Sequence, residues 1–309
     1  MDNSALWFRR FGPPEQVLTL EHAPLPPRSA GKLRVQMRYS PVNPSDLIPV
    51  TGAYRHRVVP PRVAGYEGVG VVTEADNPSL IGQRVLPLRG EGTWQRWLDC
   101  DPALAVSVPD SVPDLLAARG YINPLAALVM LSKWPVRGKT VLLTAASSAC
   151  AGLLAQWARM QGAKAVYGVY RSANTERFDV IPVDISDRVG LRGAASKADV
   201  VFDAVGGELA TLLLRSLRPG SQFVSYGLLS GEPYQMGDGA VLPQRFHLRD
   251  TLGVTPVDVW QGWFRDLWKM LEGIWLPEVS LFDLADWQTA LREFAVPGRS
   301  CKPVLVLGG

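Results

Sequence analysis

The sequence predicts an α/β protein in which a β-rich first part precedes a doubly wound parallel sheet. Short strand-like runs between Pro and Gly residues fill the first hundred or so positions, among them LRVQMRY (33–39), GVGVVTEA (68–75) and QRVLPLRG (83–90). Such runs are typical of an all-β or partly open barrel. From about residue 113 strands and helices alternate, which is the mark of a parallel sheet with crossover helices. The pattern changes again beyond about residue 255, so we expect three divisions: residues 1–112, 113–255 and 256–309.

Composition limits the class of protein. Of 309 residues, 47% are hydrophobic and 20% are charged, which is enough for a substantial core in about two domains. The net charge of +3 gives no indication of nucleic-acid binding, and no apolar run approaches the ~18 residues of a membrane span. Cys100, Cys150 and Cys301 are widely spaced, which suggests a reducing compartment. The N-terminal MDNSALWFRRFG does not resemble a signal peptide, so we expect a cytoplasmic protein without nucleic-acid or membrane partners.

The alternating part of the chain supplies the elements of the parallel sheet. Its predicted strands are KTVLLTA (139–145), AVYGVYR (165–171), ADVVFDAVGG (198–207) and QFVSYGLL (222–229), and its predicted helices are GLLAQWARMQG (152–162) and LATLLLRSLRPG (209–220). In the first helix, Leu153, Leu154, Trp157 and Met160 have helical spacing, and Gly162 predicts the end of the helix. The tail predicts helices over 260–273 and 283–294 and a last strand, CKPVLVLG (301–308).

The first strand–helix junction of this part carries five small residues, namely Ser147, Ser148, Ala149, Cys150 and Ala151. A dinucleotide-binding fold places G-x-G-x-x-G at this junction, and the pyrophosphate binds to the N–H groups at the start of the helix. Glycines only clear space for the phosphates, and alanines are the next smallest residues. Serine hydroxyls can donate to phosphate oxygens. The junction therefore predicts a pyrophosphate site without glycines.

The next strand indicates which dinucleotide is bound. It ends in Tyr170, Arg171 and Ser172, without the carboxylate that accepts hydrogen bonds from the 2′-hydroxyl of NAD. Arginine and serine suit a 2′-phosphate instead, which favours NADPH. A solvated surface arginine is the alternative interpretation. Two further strand ends, DAVGG (203–207) and VSYGLL (224–229), would lie at the edge of the sheet where ligands bind.

Landmarks through almost the whole chain give a resemblance to a known family. They are NPSDLIPVTGAY (43–54), GYEGVGVV (65–72), INPLAALVML (122–131), AASSACAG (145–152), VYRS (169–172), DAVGG (203–207), SYG (225–227) and CKPVLVL (301–307). The chain resembles the zinc-free branch of the medium-chain dehydrogenase/reductase superfamily, which includes quinone oxidoreductases and 2-enoyl thioester reductases. The resemblance implies a GroES-like catalytic domain, a Rossmann NADP-binding domain, a C-terminal return to the first domain, and a homodimer.

The residues argue against a metal ion. Zinc-dependent relatives carry a cysteine where this chain has Asn43 or its neighbours, and G-H-E where it has Gly65, Tyr66 and Glu67. A neutral tyrosine is a poor replacement for thiolate or imidazole. The four closely spaced cysteines of a structural zinc lobe are absent as well. We therefore predict a metal-free site.

The resemblance also implies roles for single residues. Tyr54 and Asn43 would be the catalytic pair, with Asn43 near the nicotinamide ribose. The other cofactor-binding positions that it implies are Asn123, Ser147 to Ala151, Arg171, Ser172, Gly206, Tyr226, Gly227, Val254, Thr255 and Lys302. Val254 and Thr255 stand where enoyl reductases often have an aromatic pair, and many quinone oxidoreductases share the G-x-Y that contains Tyr54.

These residues predict an NADPH-dependent reductase of carbonyl-conjugated double bonds, such as a 2-enoyl thioester or an enone. Hydride would reach the β-carbon and a proton the α-carbon. Negative charge would gather on the carbonyl oxygen in between, where the phenol of Tyr54 could donate. Two alternatives stay open at this point: a quinone oxidoreductase, and a non-catalytic NADPH-binding protein on the same scaffold.

Overall fold

A computed structural model describes residues 2–88, 92–171, 180–236 and 241–308. The chain divides into two compact units: unit 1 is Met1–Ile122, Pro256–Met270 and Pro277–Gly309, and unit 2 is Asn123–Thr255 and Leu271–Leu276. Residues 113–122 thus belong to unit 1, although the sequence analysis assigns them to the second domain. They are held there because Arg84 donates to Asp114 at 2.8 Å and the N–H of Ile122 donates to Glu67 at 2.7 Å.

The described part of the chain contains sixteen strands and ten α-helices. The strands are β1 Asp2–Phe8, β2 Leu18–Pro24, β3 Leu33–Pro41, β4 Arg62–Val63, β5 Val69–Glu74, β6 Arg84–Pro87, β7 Trp97–Cys100, β8 Ala105–Ser107, β9 Thr140–Leu143, β10 Ala165–Tyr170, β11 Ile181–Asp184, β12 Val200–Asp203, β13 Gln222–Ser225, β14 Pro243–Arg245, β15 Val279–Asp283 and β16 Lys302–Val306. The α-helices are α1 Pro14–Val17, α2 Pro44–Leu47, α3 Asp114–Ala117, α4 Ile122–Lys133, α5 Ala149–Met160, α6 Arg188–Lys197, α7 Gly207–Ser216, α8 Leu248–Leu252, α9 Val257–Met270 and α10 Trp287–Ala295.

Unit 1 is built from two sheets. In its described residues a three-stranded sheet has the order β2-β1-β4, and a larger sheet has the order β15-β16-β3-β5-β6-β8, with β7 also paired to β3. All of these pairs are antiparallel except β15 with β16. Leu6, Val35, Met37, Trp94 and Leu305 are among the residues that form the core of the unit, each at most 1% exposed. The predicted β-rich first part is confirmed.

Unit 2 contains one parallel sheet. Its order in the described residues is β11-β10-β9-β12-β13-β14, and all neighbouring strands are parallel. This is the doubly wound order that reverses beside the first strand, and ligands bind at the carboxyl ends of such strands. The predicted Rossmann-type sheet is therefore confirmed. The sequence analysis missed β11, because IPVD is short, contains a proline and has only Val183 buried.

The tail of the chain contributes to unit 1. Helix α9 begins at Val257, three residues before the predicted start, and buries Trp260, Phe264, Leu267 and Trp268. The indole nitrogen of Trp268 donates to the carbonyl oxygen of Ser107 at 3.2 Å. The three buried aromatic residues of this helix, Trp260, Phe264 and Trp268, therefore serve core packing. Among the described residues, no helix is both long enough and apolar enough to cross a membrane.

The turn before Glu67 depends on Gly65. This residue has φ +90°, and a Cβ atom there would lie 2.4 Å from Cδ1 of Trp94 and 2.5 Å from Oγ1 of Thr93. Trp94 is fully buried, so it cannot give way without disturbing the core. Only glycine lets the chain pass Trp94 and place Glu67 in the interior.

Replacing Gly65 by alanine tests this constraint. We expect Gly65→Ala to lower the free energy of unfolding by about 2–4 kcal/mol, because overpacking adds to the left-handed backbone strain. Gly82→Ala is the matched control, since Gly82 has φ +86° with nothing within 4 Å of the added atom, and we expect it to lose only about 1 kcal/mol. Urea denaturation of both variants measures the difference. Equal losses would contradict the packing constraint.

Candidate functional site

In unit 2 a tight turn joins β9 to α5 and carries the predicted pyrophosphate-binding residues. Ala145 has φ +48°, a left-handed conformation that is uncommon for alanine. The side chain of Ser148 is the N-cap of α5 and accepts from the N–H of Ala151 at 3.3 Å. Ser147 is exposed, whereas Cys150 and Ala151 are buried. The turn thus presents one serine hydroxyl outward and uses the other to cap the helix.

The start of α5 has the properties of an anion-binding site. The first-turn N–H groups of a helix have no partner within it, and the helix dipole adds partial positive charge there. The first turn carries no acidic residue that would neutralise this charge. Cys150 contributes only its backbone, because burial raises the pKa of its thiol to about 12 and its Sγ donates to the carbonyl oxygen of Asn123 at 3.9 Å.

Tyr226 lies against this turn. Its hydroxyl group is next to Ser148 and Cys150, and burial raises its pKa well above the usual value. The hydroxyl oxygen is buried and has no hydrogen-bond partner within the described residues. A buried hydroxyl without a partner is costly, so this atom marks a place where a further polar group is expected at the helix start.

A buried carboxylate shapes the neighbouring strand end. Asp203 is fully buried and accepts from Thr144 Oγ1 at 2.7 Å, from the N–H of Val205 at 3.1 Å and from the N–H of Gly206 at 3.0 Å. Burial raises the pKa of this carboxyl group. A Cβ atom on Gly227 would lie 2.8 Å from the carbonyl oxygen of Ala204, so close packing between strand ends requires this glycine. Gly206 is buried too.

The remaining predicted residues of unit 2 occupy the ends of elements. Arg171 is exposed and directly follows β10. Ser172 lies outside the described residues. Val254 is 84% exposed, and Thr255 donates from its hydroxyl to the carbonyl oxygen of Thr251 at 2.8 Å. Among the described residues, no side-chain hydrogen bond links Arg171, Val254 or Thr255 to another predicted site residue.

In unit 1 the structure joins Asn43 and Lys302, which are 259 positions apart in the sequence. Nζ of Lys302 donates to Oδ1 of Asn43 at 2.5 Å, and Nδ2 of Asn43 donates to Oε1 of Glu67 at 2.7 Å. Lys302 is 7% exposed, and Asn43 and Glu67 are 1% exposed. A carboxylate and an ammonium group are therefore buried together, with an amide between them.

Asp46 completes this buried group. Its Oδ2 accepts from the N–H of Asn43 at 2.8 Å, while its Oδ1 has no partner within the described residues. Burial and then the charge of Glu67 raise the pKa of Asp46 to about 7, and burial lowers the pKa of Lys302 to about 8. Asp46 also lines a cavity of about 20 Å³ beside Tyr66, which has room for about one water molecule.

Tyr54 lies in the turn that follows α2. Its carbonyl oxygen accepts from the N–H groups of Arg57 at 2.8 Å and Val58 at 2.9 Å. Its half-buried ring packs against the core of unit 1 and meets the ring of His56 edge-on, with 6.2 Å between centroids. The side chain of Tyr54 thus packs against the core on one side and is partly exposed to solvent on the other.

Sequence reasoning missed the roles of three buried carboxylates, Asp46, Glu67 and Asp203. A signal existed for Asp46, which stands three residues after Asn43 in N-P-S-D and forms a capping box with it. Glu67 follows a glycine that has a positive φ. Among the described residues, no group of three or more His, Cys, Asp or Glu side chains is placed to hold a metal ion.

Comparison with known proteins agrees with this fold. Residues 29–109 match the family model of the alcohol dehydrogenase GroES-like domain. The mitochondrial enoyl-[acyl-carrier-protein] reductase of Arabidopsis thaliana is 28% identical over 250 residues, which cover 75% of this chain and 67% of that protein. Its counterpart from Caenorhabditis elegans is 24% identical over 335 aligned positions, covering 99% of this chain and 96% of that protein.

A solved structure is similar over almost the whole chain. It is that of a Bacillus thuringiensis protein provisionally named as an NADPH:quinone reductase, with a TM-score of 0.92, 33% identity and 99% coverage of both chains. Together with the GroES-like match and the doubly wound sheet, this similarity confirms the resemblance stated from the sequence. The chain belongs to the zinc-independent medium-chain dehydrogenase/reductases and is an oxidoreductase of their enoyl thioester reductase and quinone oxidoreductase group.

Proposed function

We propose that this protein uses NADPH to reduce a double bond conjugated to a carbonyl group, and that its substrate is a 2-enoyl thioester. The observation that carries the substrate class is the similarity to proteins named enoyl-[acyl-carrier-protein] reductases, one of which aligns with 99% of the chain. The helix start in unit 2 and the tyrosine turn in unit 1 supply the chemical groups that this reaction needs.

The residues of unit 2 fit NADPH. When bound, the cofactor supplies the hydride. We assign its pyrophosphate to the start of α5, where Ser147 and the N–H groups of Ala149 and Cys150 can donate. The unpartnered hydroxyl of Tyr226 supports this assignment, because it lies at the same helix start. We assign the 2′-phosphate to Arg171, whose guanidinium group is exposed after β10, and to Ser172.

Tyr54 is our candidate for the group that acts on the substrate. Reduction of the double bond adds hydride to the β-carbon and a proton to the α-carbon, and negative charge gathers on the thioester oxygen between these steps. A phenol that donates a hydrogen bond to this oxygen stabilises the charge where it develops. Packing against the core limits the motion of the Tyr54 ring, which restricts the orientation of its hydroxyl donor.

We also assign roles to the other predicted site residues. Asn43 and Asn123 are assigned to the nicotinamide end of the cofactor, and Lys302 is assigned to the support of Asn43, to which it donates a hydrogen bond. Gly206, Tyr226 and Gly227 are assigned to the sheet edge beneath it, where close packing against Ala204 requires a glycine at 227. Val254 and Thr255 are assigned to the border of the cofactor site.

Quinone reduction is the second candidate function. The Bacillus thuringiensis protein, at 33% identity, carries the name of an NADPH:quinone reductase and favours this alternative. Hydride transfer to a flat conjugated acceptor would use the same cofactor residues. Parallel assays with a short trans-2-enoyl thioester and with a benzoquinone decide between the two by their kcat/KM values.

We further propose a homodimer that works in the reducing environment of the cytoplasm. All three cysteines are free, and Cys100 and Cys150 are buried. Strand β14 is the last strand of the unit 2 sheet as described, and the adjacent Leu242 is 74% exposed. An edge strand with an apolar neighbour is suited to pairing with a second copy. The mass in solution, measured by light scattering, tests the dimer.

The role of Tyr54 can be tested by removing one oxygen atom. We expect Tyr54→Phe to lower kcat with a trans-2-enoyl thioester by roughly 100-fold, because the charge on the thioester oxygen loses its donor. The Kd for NADPH should stay the same, since Tyr54 does not bind the phosphates. Tyr39→Phe, a half-buried tyrosine on β3, is the matched control and should keep its kcat. Wild-type turnover by Tyr54→Phe would overturn the assignment.

The choice of NADPH over NADH should depend on Arg171. We expect Arg171→Ala to raise the Kd for NADPH by roughly 10- to 100-fold, because a charge-assisted bond to the 2′-phosphate is lost. The Kd for NADH should hardly change. Arg192→Ala removes an equally exposed charge from α6 and serves as the control. Equal weakening of both nucleotides would show that Arg171 does not bind the 2′-phosphate. Fluorescence titration of the wild type and both variants with the two nucleotides measures all six Kd values.

A further inference from the structure

The carboxylate of Glu67 is held from several directions. Its Oε2 accepts from the N–H groups of Tyr121 at 3.3 Å and Ile122 at 2.7 Å, and its Oε1 accepts from Nδ2 of Asn43 at 2.7 Å. Its carbonyl oxygen also accepts from Oγ1 of Thr93 at 2.9 Å. A side chain bonded in this way has a single position, and it fixes the position of each group that donates to it.

The amide of Asn43 has only one favourable orientation. Its nitrogen faces the carboxylate of Glu67, and its oxygen faces the ammonium group of Lys302. Rotation by 180° would set the NH₂ group against the ammonium and the carbonyl oxygen against the carboxylate. The two opposite charges therefore meet through this amide rather than in a direct ion pair, and they determine which way it points.

Glu67 also acts at the start of α4. The first turn of this helix contains no acidic residue of its own, and the N–H groups at a helix start lack partners within the helix. Glu67 accepts two of them from a distant part of the sequence. The backbone immediately before Asn123 is therefore fixed by the same carboxylate that orients Asn43.

We propose that Glu67 is a positioning residue for the reduction, acting through the amide of Asn43 and through the backbone that precedes Asn123, with Lys302 as its buried counter-charge. The inference rests on the proposed function, since both asparagines are assigned to the nicotinamide end of NADPH. It gives Lys302 a different task from the one the resemblance implies: the ammonium group, 7% exposed and bonded to Asn43, balances Glu67.

The charges around Lys302 agree with this task. Burial is the largest effect on the pKa of Lys302, which lies at about 8, below its usual value. Glu67 and Asp46 raise this pKa, whereas Arg299 and Arg119 lower it. Burial likewise raises the pKa of Glu67. Burial of either charge alone would destabilise the protein, and the two charges are retained together because each compensates the other.

Two variants test the inference. In Glu67→Gln, the new side chain faces Nδ2 of Asn43 in one of two ways. Its oxygen accepts a weaker hydrogen bond because it carries no charge, or its NH₂ group opposes the NH₂ group of Asn43. Lys302 stays charged in both cases. We expect kcat to fall roughly 10- to 100-fold from misplacement of the reacting groups, with the Kd for NADPH changed less than about threefold because unit 2 holds the phosphates. In Glu67→Gln/Lys302→Met both charges are absent, so we expect stability to recover while kcat stays low, because no charge then determines which way the amide of Asn43 points.

Asp99→Asn is the control for a purely structural effect. Asp99 pairs with the buried Arg34 at 2.9 Å, away from Asn43, so this variant should lose stability and keep its kcat. Wild-type kcat in folded Glu67→Gln would overturn the inference. So would a double variant that regains both stability and kcat, because the loss in the single variant would then come from an uncompensated buried charge and not from the orientation of Asn43. If Glu67→Gln does not fold, the comparison of the double variant with wild type decides by the same criterion.

Hydrogen exchange separates this inference from the proposed function. Without any substrate, we expect Glu67→Gln to speed deuterium uptake at residues 121–123, because the N–H groups of Tyr121 and Ile122 lose their charged acceptor. Asp99→Asn should leave the uptake there unchanged. Faster uptake with no turnover in the wild type would refute the proposed function alone. Unchanged uptake would refute the positioning role alone.

Discussion

A buried carboxylate, that of Glu67, is the constraint on which the arrangement of unit 1 depends. An unpaired carboxylate at 1% exposure would cost several kcal/mol, so the surrounding chain must provide donors and a positive charge. Gly65 gives the backbone the left-handed turn that brings Glu67 inside, past Trp94. The amide of Asn43 then joins the carboxylate to Lys302 on the last strand. This hydrogen bond joins an early part of unit 1's sequence, at Asn43, to its last strand, at Lys302, in the interior of the unit.

Unit 2 solves a related problem with Asp203. This carboxylate is satisfied by Thr144 and by backbone N–H groups at the end of its own strand, and it thereby fixes the edge of the sheet next to the β9–α5 turn. The pyrophosphate site that we propose at this turn does not require glycines. Backbone N–H groups and the helix dipole provide the attraction for an anion, and the first turn of α5 has no acidic residue to oppose it.

Much of the fold was predictable because it depends on local patterns. Alternating strands and helices gave the parallel sheet, and the small residues 147–151 gave the turn. The pairing of Asn43 with Lys302 was not predictable from pattern, since hydrogen bonds across 259 positions leave no periodicity in one sequence. Strand β11 was missed because its exposed residues and Pro182 obscure the signal of a buried strand. The resemblance did single out Asn43 and Lys302. It assigned each of them to the cofactor and did not indicate that they bond to one another.

In the proposed reaction, hydride passes from NADPH to the β-carbon of an enoyl thioester. The most direct measurement uses NADPH that carries deuterium in place of the transferred hydrogen, with a short trans-2-enoyl thioester in ordinary water. Mass spectrometry and NMR then locate the label in the saturated product. We expect one deuterium at the β-carbon and none at the α-carbon, which takes its proton from the protein or from solvent. Oxidation of NADPH that leaves the acyl chain unlabelled would contradict it.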